Sequence, residues 1–164
     1  MKKITILILT LILFVGCQKS LDITKAEERD NIYYEVGQSN PFTGILTESY
    51  DDGKMKSEAE FKDGKLNGLL KLYYENGIIE SEGHYKDGKM HGKAKTNYAD
   101  GKMKLESNYA DGKLDGVAKR YYENGVMKSE VNFKNGELDG VSKAYNEEGV
   151  LKIEATYKNG ELVK

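Results

Sequence analysis

The sequence predicts an all-β protein in which tandem 24-residue β-hairpin repeats form one extended, twisted antiparallel meander. Glycine recurs with a period of 24 residues, which is typical of repeat architectures. Asp-Gly or Asn-Gly dipeptides also occur twice in nearly every period, and such dipeptides favour tight hairpin turns. Three positions of the unit hold fifteen of the 18 glycines: position 1 (Gly44, Gly68, Gly92, Gly116, Gly140), position 10 (Gly53, Gly77, Gly101, Gly125, Gly149) and position 21 (Gly64, Gly88, Gly112, Gly136, Gly160). We number the units 1 to 5 from these leading glycines.

The composition fits this fold and excludes some functions. The chain has 164 residues, enough for one domain. Its net charge of −2, which becomes −4 without Lys2 and Lys3, argues against nucleic-acid binding. One cysteine excludes an intrachain disulfide. Twelve tyrosines, one proline and no tryptophan fit strands joined by tight turns.

Residues 1–16 predict a signal peptide, because Lys2 and Lys3 precede an apolar stretch at 4–15 that is short for a bilayer span. Cys17 then follows Phe-Val-Gly, which resembles a bacterial lipobox. We therefore expect Cys17 to carry lipid and to hold the exported protein at a bacterial membrane, the outer one where the cell has two. An ordinary cleaved signal or an uncleaved anchor are the alternatives. Residues 17–30 are predicted to be the lipidated N-terminus and a polar tether with a short helical turn.

Two-residue turns at positions 9–10 and 20–21 predict the strand register. The first turn places the position-1 glycine opposite the aromatic residue at position 18, position 4 opposite position 15, and position 7 opposite position 12. The second turn places position 18 opposite position 23. Both turns put the same positions on the same face, which a one-residue slip would not do. The result is an apolar face of Tyr, Phe, Met and Leu and a polar face of Lys, Glu and Asn.

A divergent leading hairpin is predicted at residues 31–43, before five repeats at 44–163. Its strands would be residues 31–35 and a strand beginning at Phe42, with residues 37–41 between them. The repeats read Gly-x-x-Lys-x-Tyr-Tyr-x-Asn-Gly-x-x-Lys-Ser-Glu-x-x-Tyr-x-Asp/Asn-Gly-Lys-Leu, which resembles the bacterial variant of MORN repeats. The segment 33–44 resembles the leader of YwqK-type proteins. The resemblance implies a sheet of consecutive hairpins, and many such proteins are named antitoxins or immunity proteins, with a toxin as partner.

The sequence offers no catalytic motif, so we expect a protein that is not an enzyme, with no cofactor, metal or small-molecule substrate. His84 and His91 are predicted to lie opposite each other, but two imidazoles fall short of a four-ligand zinc site. Position-6 tyrosines on the polar face are the predicted binding residues, since Tyr is enriched in interfaces. Packing on lysine stems is the alternative. These residues are Tyr73, Tyr121 and Tyr145.

Three functions remain open from the sequence. The first is a membrane-anchored, non-enzymatic protein-binding or scaffold module of the cell envelope. The second is an immunity protein that neutralises a cognate toxin, which follows from the resemblance alone. The third is an envelope glycan-binding protein, against which the absence of tryptophan counts. Because no capping segment follows unit 5, its edge strand is expected to contact a partner or a second copy.

Overall fold

A computed structural model describes residues 18–163, which form a nearly all-β protein with 64% strand. One 14-stranded sheet holds every repeat, and a separate two-stranded hairpin precedes it. Each repeat adds its hairpin beside the preceding one, so the predicted fold class is confirmed. The strands are β1 (Ser20–Asp22), β2 (Ala26–Arg29), β3 (Ile32–Glu35), β4 (Gly44–Ser49), β5 (Met55–Lys62), β6 (Lys65–Tyr73), β7 (Ile79–Lys86), β8 (Lys89–Asn97), β9 (Met103–Ala110), β10 (Lys113–Leu114), β11 (Gly116–Tyr121), β12 (Met127–Lys134), β13 (Glu137–Leu138), β14 (Gly140–Tyr145), β15 (Leu151–Lys158) and β16 (Glu161–Leu162).

The turns at positions 20–21 are the predicted two-residue hairpins. In unit 3, Asp111 and Gly112 both have positive φ, of 49° and 83°. This conformation places Tyr109 opposite Leu114, so position 18 meets position 23 as expected. The glycine N–H of this turn also donates to the position-23 carbonyl of the preceding unit, from Gly112 to Met90 over 2.8 Å. The second turn therefore joins neighbouring units as well as the two strands of one hairpin.

The turns at positions 9–10 differ from the prediction, because they are three-residue loops. In unit 4 the Tyr122 N–H donates to the Val126 carbonyl and the Gly125 N–H donates to the Tyr122 carbonyl, both over 2.9 Å. Only the glycine has positive φ, 84° at Gly125. This is a three-residue hairpin with its glycine in the left-handed region. Position 12 consequently pairs with position 6, as Met127 does with Tyr121, and the predicted pairing with position 7 is wrong.

A bulge at the leading glycine of units 2 to 5 is a second difference from the predicted register. Phe61 pairs with Leu66, but Ala59 pairs with Leu70, so three residues on β6 lie opposite one residue on β5. The leading glycine of unit 2, Gly68, lies in this bulge with φ of 129°. A shift by two residues keeps every side chain on its predicted face, because side chains alternate with a period of two.

Residues 18–43 form a folded cap, in which residues 18–30 are not the predicted polar tether. The predicted leading hairpin is present in part, since Tyr34 and Pro41 form an antiparallel bridge and the Phe42 N–H donates to the Tyr33 carbonyl over 2.8 Å. β1 pairs in parallel with β4, and β2 pairs with β3 around a turn at residues 30–31. The physical reason is that β4 would otherwise be an open edge, and an edge is stabilised when it is covered. Leu21 on β1 is 7% exposed and packs with Phe42 and Leu46 in the buried core. The expected short helical turn is present as a 3-10 turn at Ile23–Lys25.

The predicted signal peptide and Cys17 lie outside the described residues. Among residues 18–163, no helix has the length and apolar character needed to cross a membrane. The C-terminal end of the sheet differs from the capped N-terminal end, since Ile153 on β15 and Leu162 on β16 are 61% and 64% exposed.

Candidate binding groove

A groove on the apolar face of the sheet runs across units 2 to 4. Side chains from positions 14, 16, 18 and 23, together with positions 3 and 5 of the following unit, point to this face. Positions 3 and 16 hold small residues in the central units, such as Ala94, Ala118 and Ser107, while position 18 is always aromatic. Because small side chains alternate with large ones, the face is indented along its centre rather than filled.

Two adjoining cavities make up this groove. The first has a volume of about 190 Å³ and the second about 360 Å³. Leu105, Ser107 and Tyr109 line both cavities, so the two cavities adjoin at β9. Ser107 is 2% exposed and lies at the floor. Burial raises the pKa of Tyr85, at one end, so its hydroxyl remains a neutral hydrogen-bonding group at physiological pH.

Arg120 is the one basic side chain that position 5 contributes to the groove. It lines the larger cavity with Ala118 and Val131 and is exposed. None of the ion pairs within residues 18–163 includes it, whereas its chain neighbour Lys119, on the opposite face, pairs with Glu130 over 3.5 Å. A guanidinium beside an apolar surface can bind a carboxylate in two parallel hydrogen bonds. The groove therefore offers apolar surface with a cationic contact at Arg120.

The opposite face carries a ladder of alternating charges. Successive strands carry in turn a position-15 glutamate and a position-4 lysine. The two residues on neighbouring strands lie directly opposite each other in every case. Hydrogen bonds from Lys71 and then Tyr73 lower the pKa of Glu58, at the N-terminal end of the ladder. Opposite charges across strands stabilise the pairing by roughly 0.2–1 kcal/mol each. In order, the ladder is Glu58, Lys71, Glu82, Lys95, Glu106, Lys119, Glu130, Lys143, Glu154.

The position-7 tyrosines join successive units, a role that the sequence did not reveal. The Tyr98 hydroxyl donates to the Tyr121 carbonyl over 2.7 Å, and the Tyr122 hydroxyl donates to the Tyr145 carbonyl over 2.8 Å. Each bond spans 23 residues, from position 7 of one unit to position 6 of the next. Tyr50 and Tyr74 make the same contact in units 1 and 2. These bonds hold neighbouring loops side by side at one edge of the groove.

Comparison of the sequence with models of protein families identifies the family to which the chain belongs. A model described as the MORN repeat variant matches residues 42–63, 66–87, 114–135 and 138–159, which together are more than half of the chain. The chain belongs to the MORN repeat variant family. A second model, the MORN repeat, matches residues 82–103. No curated protein matches the chain significantly.

Membership of this family agrees with the groove on the apolar face of the sheet. MORN repeats are in general protein- or membrane-binding modules, and MORN repeat proteins are typically non-enzymatic. The matched segments begin at position 23 and end at position 20, so each MORN unit holds the two strands around one three-residue loop. The groove is thus a surface that several units build together.

The position-6 tyrosines predicted to bind a partner are half-buried in the MORN array. The Tyr73 hydroxyl donates to Glu58 Oε1 over 2.6 Å, which places it on the polar face as expected. The carbonyls of Tyr121 and Tyr145 accept the inter-unit bonds from position 7. Binding by these three residues stays a prediction. The groove residues and Arg120 were not predicted, because the small residues at positions 3 and 16 belong to no recognisable sequence motif.

The two histidines lie in the bulge between β7 and β8. Gly83 pairs with Ala94 and Tyr85 with Met90, so His84 lies opposite a three-residue stretch and the predicted direct pairing with His91 is lost. His91 Nδ1 is 3.7 Å from Asp111 Oδ1. Within residues 18–163, no three His, Cys, Asp or Glu side chains lie close enough together to hold a metal ion.

Proposed function

We propose that this protein is an exported, lipid-anchored MORN repeat lipoprotein of the bacterial cell envelope, which binds a protein partner along its apolar groove. The groove that two adjoining cavities form across units 2 to 4, with Arg120 in the lining of the larger one, is the observation that carries this proposal. Its small-residue floor suits a partner segment that inserts apolar side chains, and Arg120 suits a carboxylate on the same segment.

Charge and shape favour a protein over other partners. Leucine, methionine, phenylalanine and tyrosine side chains line the groove together with serine and threonine, and aromatic residues and methionine are enriched in protein interfaces. The charges of the opposite face are largely neutralised by the Lys–Glu ladder, so that face offers little net attraction. A toxin captured in the groove would make this chain an immunity protein.

The anchor is proposed at Cys17, after cleavage of residues 1–16. Because β1 begins at Ser20, only two residues separate Cys17 from the folded cap. The capped end of the sheet would therefore sit against the membrane. Twelve strands lie on the path from β1 to β16, so at about 4.8 Å per strand the far edge is about 50 Å away along the sheet.

The groove is tested by capture from envelope extracts with matched variants. Residues 18–164 with Ala118→Phe, which fills the groove, should lose the partner, whereas Val117→Phe on the opposite face should retain it. Arg120→Ala should weaken capture and Lys119→Ala should not. Melting temperatures check that each variant is folded. Equal capture by Ala118→Phe and Val117→Phe would show that the groove is not the binding site, and a captured glycan fragment would replace the protein partner.

The anchor is tested by metabolic labelling of the full chain with a fatty-acid analogue. The native chain should be labelled and fractionate with membranes. Cys17→Ser should be unlabelled and either unprocessed or soluble, because the thiol is the only site for the thioether. Label retained on the Ser variant would refute the assignment without affecting the groove.

A further inference from the structure

Asparagine precedes glycine at five places in the repeats, and these places differ in structure. An asparagine amide can be attacked by the next backbone nitrogen, and glycine hinders this attack least because it has no Cβ. The surroundings of each amide therefore decide which of the five react. The pairs are Asn67-Gly68 within β6, Asn76-Gly77 and Asn124-Gly125 in three-residue loops, and Asn135-Gly136 and Asn159-Gly160 in the two-residue turns of units 4 and 5.

The two loop amides are held at both ends. Asn76 Oδ1 accepts a hydrogen bond from the N–H two residues along the chain over 3.0 Å, and Asn76 Nδ2 donates to the Ala99 carbonyl of the next unit over 2.8 Å. Asn124 makes the same two bonds, over 2.9 Å and 3.0 Å. Both bonds must break before the amide carbon can reach the nitrogen of its own glycine. The Asn67 amide is half-buried in β6 and donates to Asp87 Oδ1 over 3.4 Å.

The two turn amides, of Asn135 and Asn159, are exposed and are not held. Both residues have positive φ, of 52° and 49°, and in the part of the chain that the structure describes neither side-chain amide makes a hydrogen bond. The Gly136 N–H donates to the Leu114 carbonyl over 2.8 Å, so the turn must open before attack. The loops carry the same cost, since the Gly77 N–H also donates to a carbonyl over 2.8 Å. The difference between turns and loops therefore lies in the side-chain bonds.

We propose that Asn135 and Asn159 are sites of spontaneous deamidation in the folded protein, whereas the loop asparagines and Asn67 are protected. In the first step at unit 4, the Gly136 nitrogen bonds to Asn135 Cγ and loses its proton. The Cγ–Nδ2 bond breaks, ammonia leaves, and a cyclic imide remains. Water then opens the imide at one of its two carbonyl carbons and gives aspartate or isoaspartate. Each product carries a negative charge that asparagine lacks.

The new charge falls at a junction between units that holds at most one carboxylate in the native chain. Position 20 of each unit lies beside position 24 of the preceding unit, and the residue before unit 1 takes the same place. The pairs in chain order are Thr43–Asp63, Asn67–Asp87, His91–Asp111, Asp115–Asn135 and Asp139–Asn159. Asp115 Oδ2 accepts a hydrogen bond from the Asn135 N–H over 3.1 Å. Deamidation of Asn135 brings a second carboxylate to this junction, where the two like charges repel.

Isoaspartate at Asn135 would also alter the groove. The main chain then passes through the side-chain methylene and gains one atom, so the two-residue turn loses its geometry. This turn joins Phe133 to Leu138, and its glycine N–H bonds to the Leu114 carbonyl. All three residues line the larger cavity. Deamidation in unit 4 therefore acts on the shape of the groove as well as on the junction between units 3 and 4.

Peptide mass spectrometry of aged protein tests the assignment. Residues 18–164 are incubated folded and in urea, and cleavage after lysine and arginine then places each Asn-Gly pair in its own peptide. The ratio of the deamidation rate in urea to the rate in the folded protein measures the protection. This ratio should be about 10- to 100-fold larger for Asn76 and Asn124 than for Asn135 and Asn159, since two hydrogen bonds hold each loop amide. Equal ratios for loops and turns, or no deamidation of the turns in the folded protein, would overturn the proposal.

A pair of substitutions tests the effect at the junction. Asn135→Asp reproduces the aspartate product and should lower the melting temperature by about 1–4 °C. Adding Asp115→Asn recreates the Asn67–Asp87 combination that joins units 1 and 2, and should restore the native melting temperature. An Asn135→Asp variant that melts with the native chain, or a double variant that melts as low as the single variant, would contradict the charge conflict.

Discussion

Replacing Gly68 with alanine should destabilise the protein far more than replacing Gly92 with alanine, although each is the leading glycine in the equivalent bulge of its own unit. Their φ angles are +129° and +94°, which penalise any Cβ. At Gly92 the nearest atom to an added Cβ is the His84 Cβ, at 3.7 Å. At Gly68 an added Cβ would lie 2.7 Å from the Glu60 Cβ and would overlap the Glu60 carboxylate.

The magnitudes follow from these contacts. Gly92→Ala adds backbone strain alone, about 1–2 kcal/mol. Gly68→Ala adds the same strain and displaces Glu60, whose carboxylate accepts a hydrogen bond from the Leu69 N–H over 3.1 Å. Losing a bond to a charged group costs about 1.5–3 kcal/mol, and the remaining Cβ overlap costs about 1–3 kcal/mol. We expect Gly68→Ala to cost about 3 kcal/mol more than Gly92→Ala.

Urea unfolding of residues 18–164, followed by far-UV circular dichroism, measures this difference. At about 2–4 °C per kcal/mol, the two melting temperatures should also differ by about 6–12 °C. Glu60→Gly removes the overlapping atoms, so in that background Gly68→Ala should cost no more than Gly92→Ala does in the native chain. Equal midpoints for Gly68→Ala and Gly92→Ala would refute the assigned bulge.

Three further predictions concern the loops and the ladder. Gly125→Val should lower the melting temperature more than Lys128→Ala, because φ of +84° penalises a β-branched side chain; equal temperatures would contradict the three-residue loop. Tyr98→Phe should cost about 0.5–1.5 kcal/mol in urea unfolding, since it removes the bond to the Tyr121 carbonyl. The lowered pKa of Glu58 stabilises the fold above the ordinary glutamate pKa, and this stabilisation is lost as the pH falls through the lowered value. Glu58→Gln should therefore lose less stability than the native chain between neutral and acidic pH, and an unchanged pH profile would reject this linkage.

The period, the faces and the second turn could be predicted from the sequence because each has a local cause. Asp-Gly and Asn-Gly at positions 20–21 determine a turn of fixed geometry, and this turn sets the pairing of position 18 with position 23. The Lys–Glu pairing of positions 4 and 15 in units 2 to 5 is confirmed as well, as for Lys119 and Glu130. Alternation then assigns every side chain to a face.

The loop at positions 8–10 could not be assigned, because Asn-Gly fits both a two-residue and a three-residue hairpin. The choice depends on a long-range contact. The three-residue loop leaves the position-7 tyrosine free to reach the next unit, as Tyr122 reaches the Tyr145 carbonyl. The bulge at the leading glycine could not be predicted either, since a register shift of two residues leaves every side chain on the same face of the sheet.

The fold of the cap at residues 18–30 was missed because this segment shares no period with the repeats. Leu21 stands in a polar segment whose composition suggests a tether. Its burial against Leu46 arises from the open edge of β4, which no local pattern describes. The groove was missed for a related reason. It depends on small residues in neighbouring units, such as Ala94 and Ser107, which form a surface only after the units have paired.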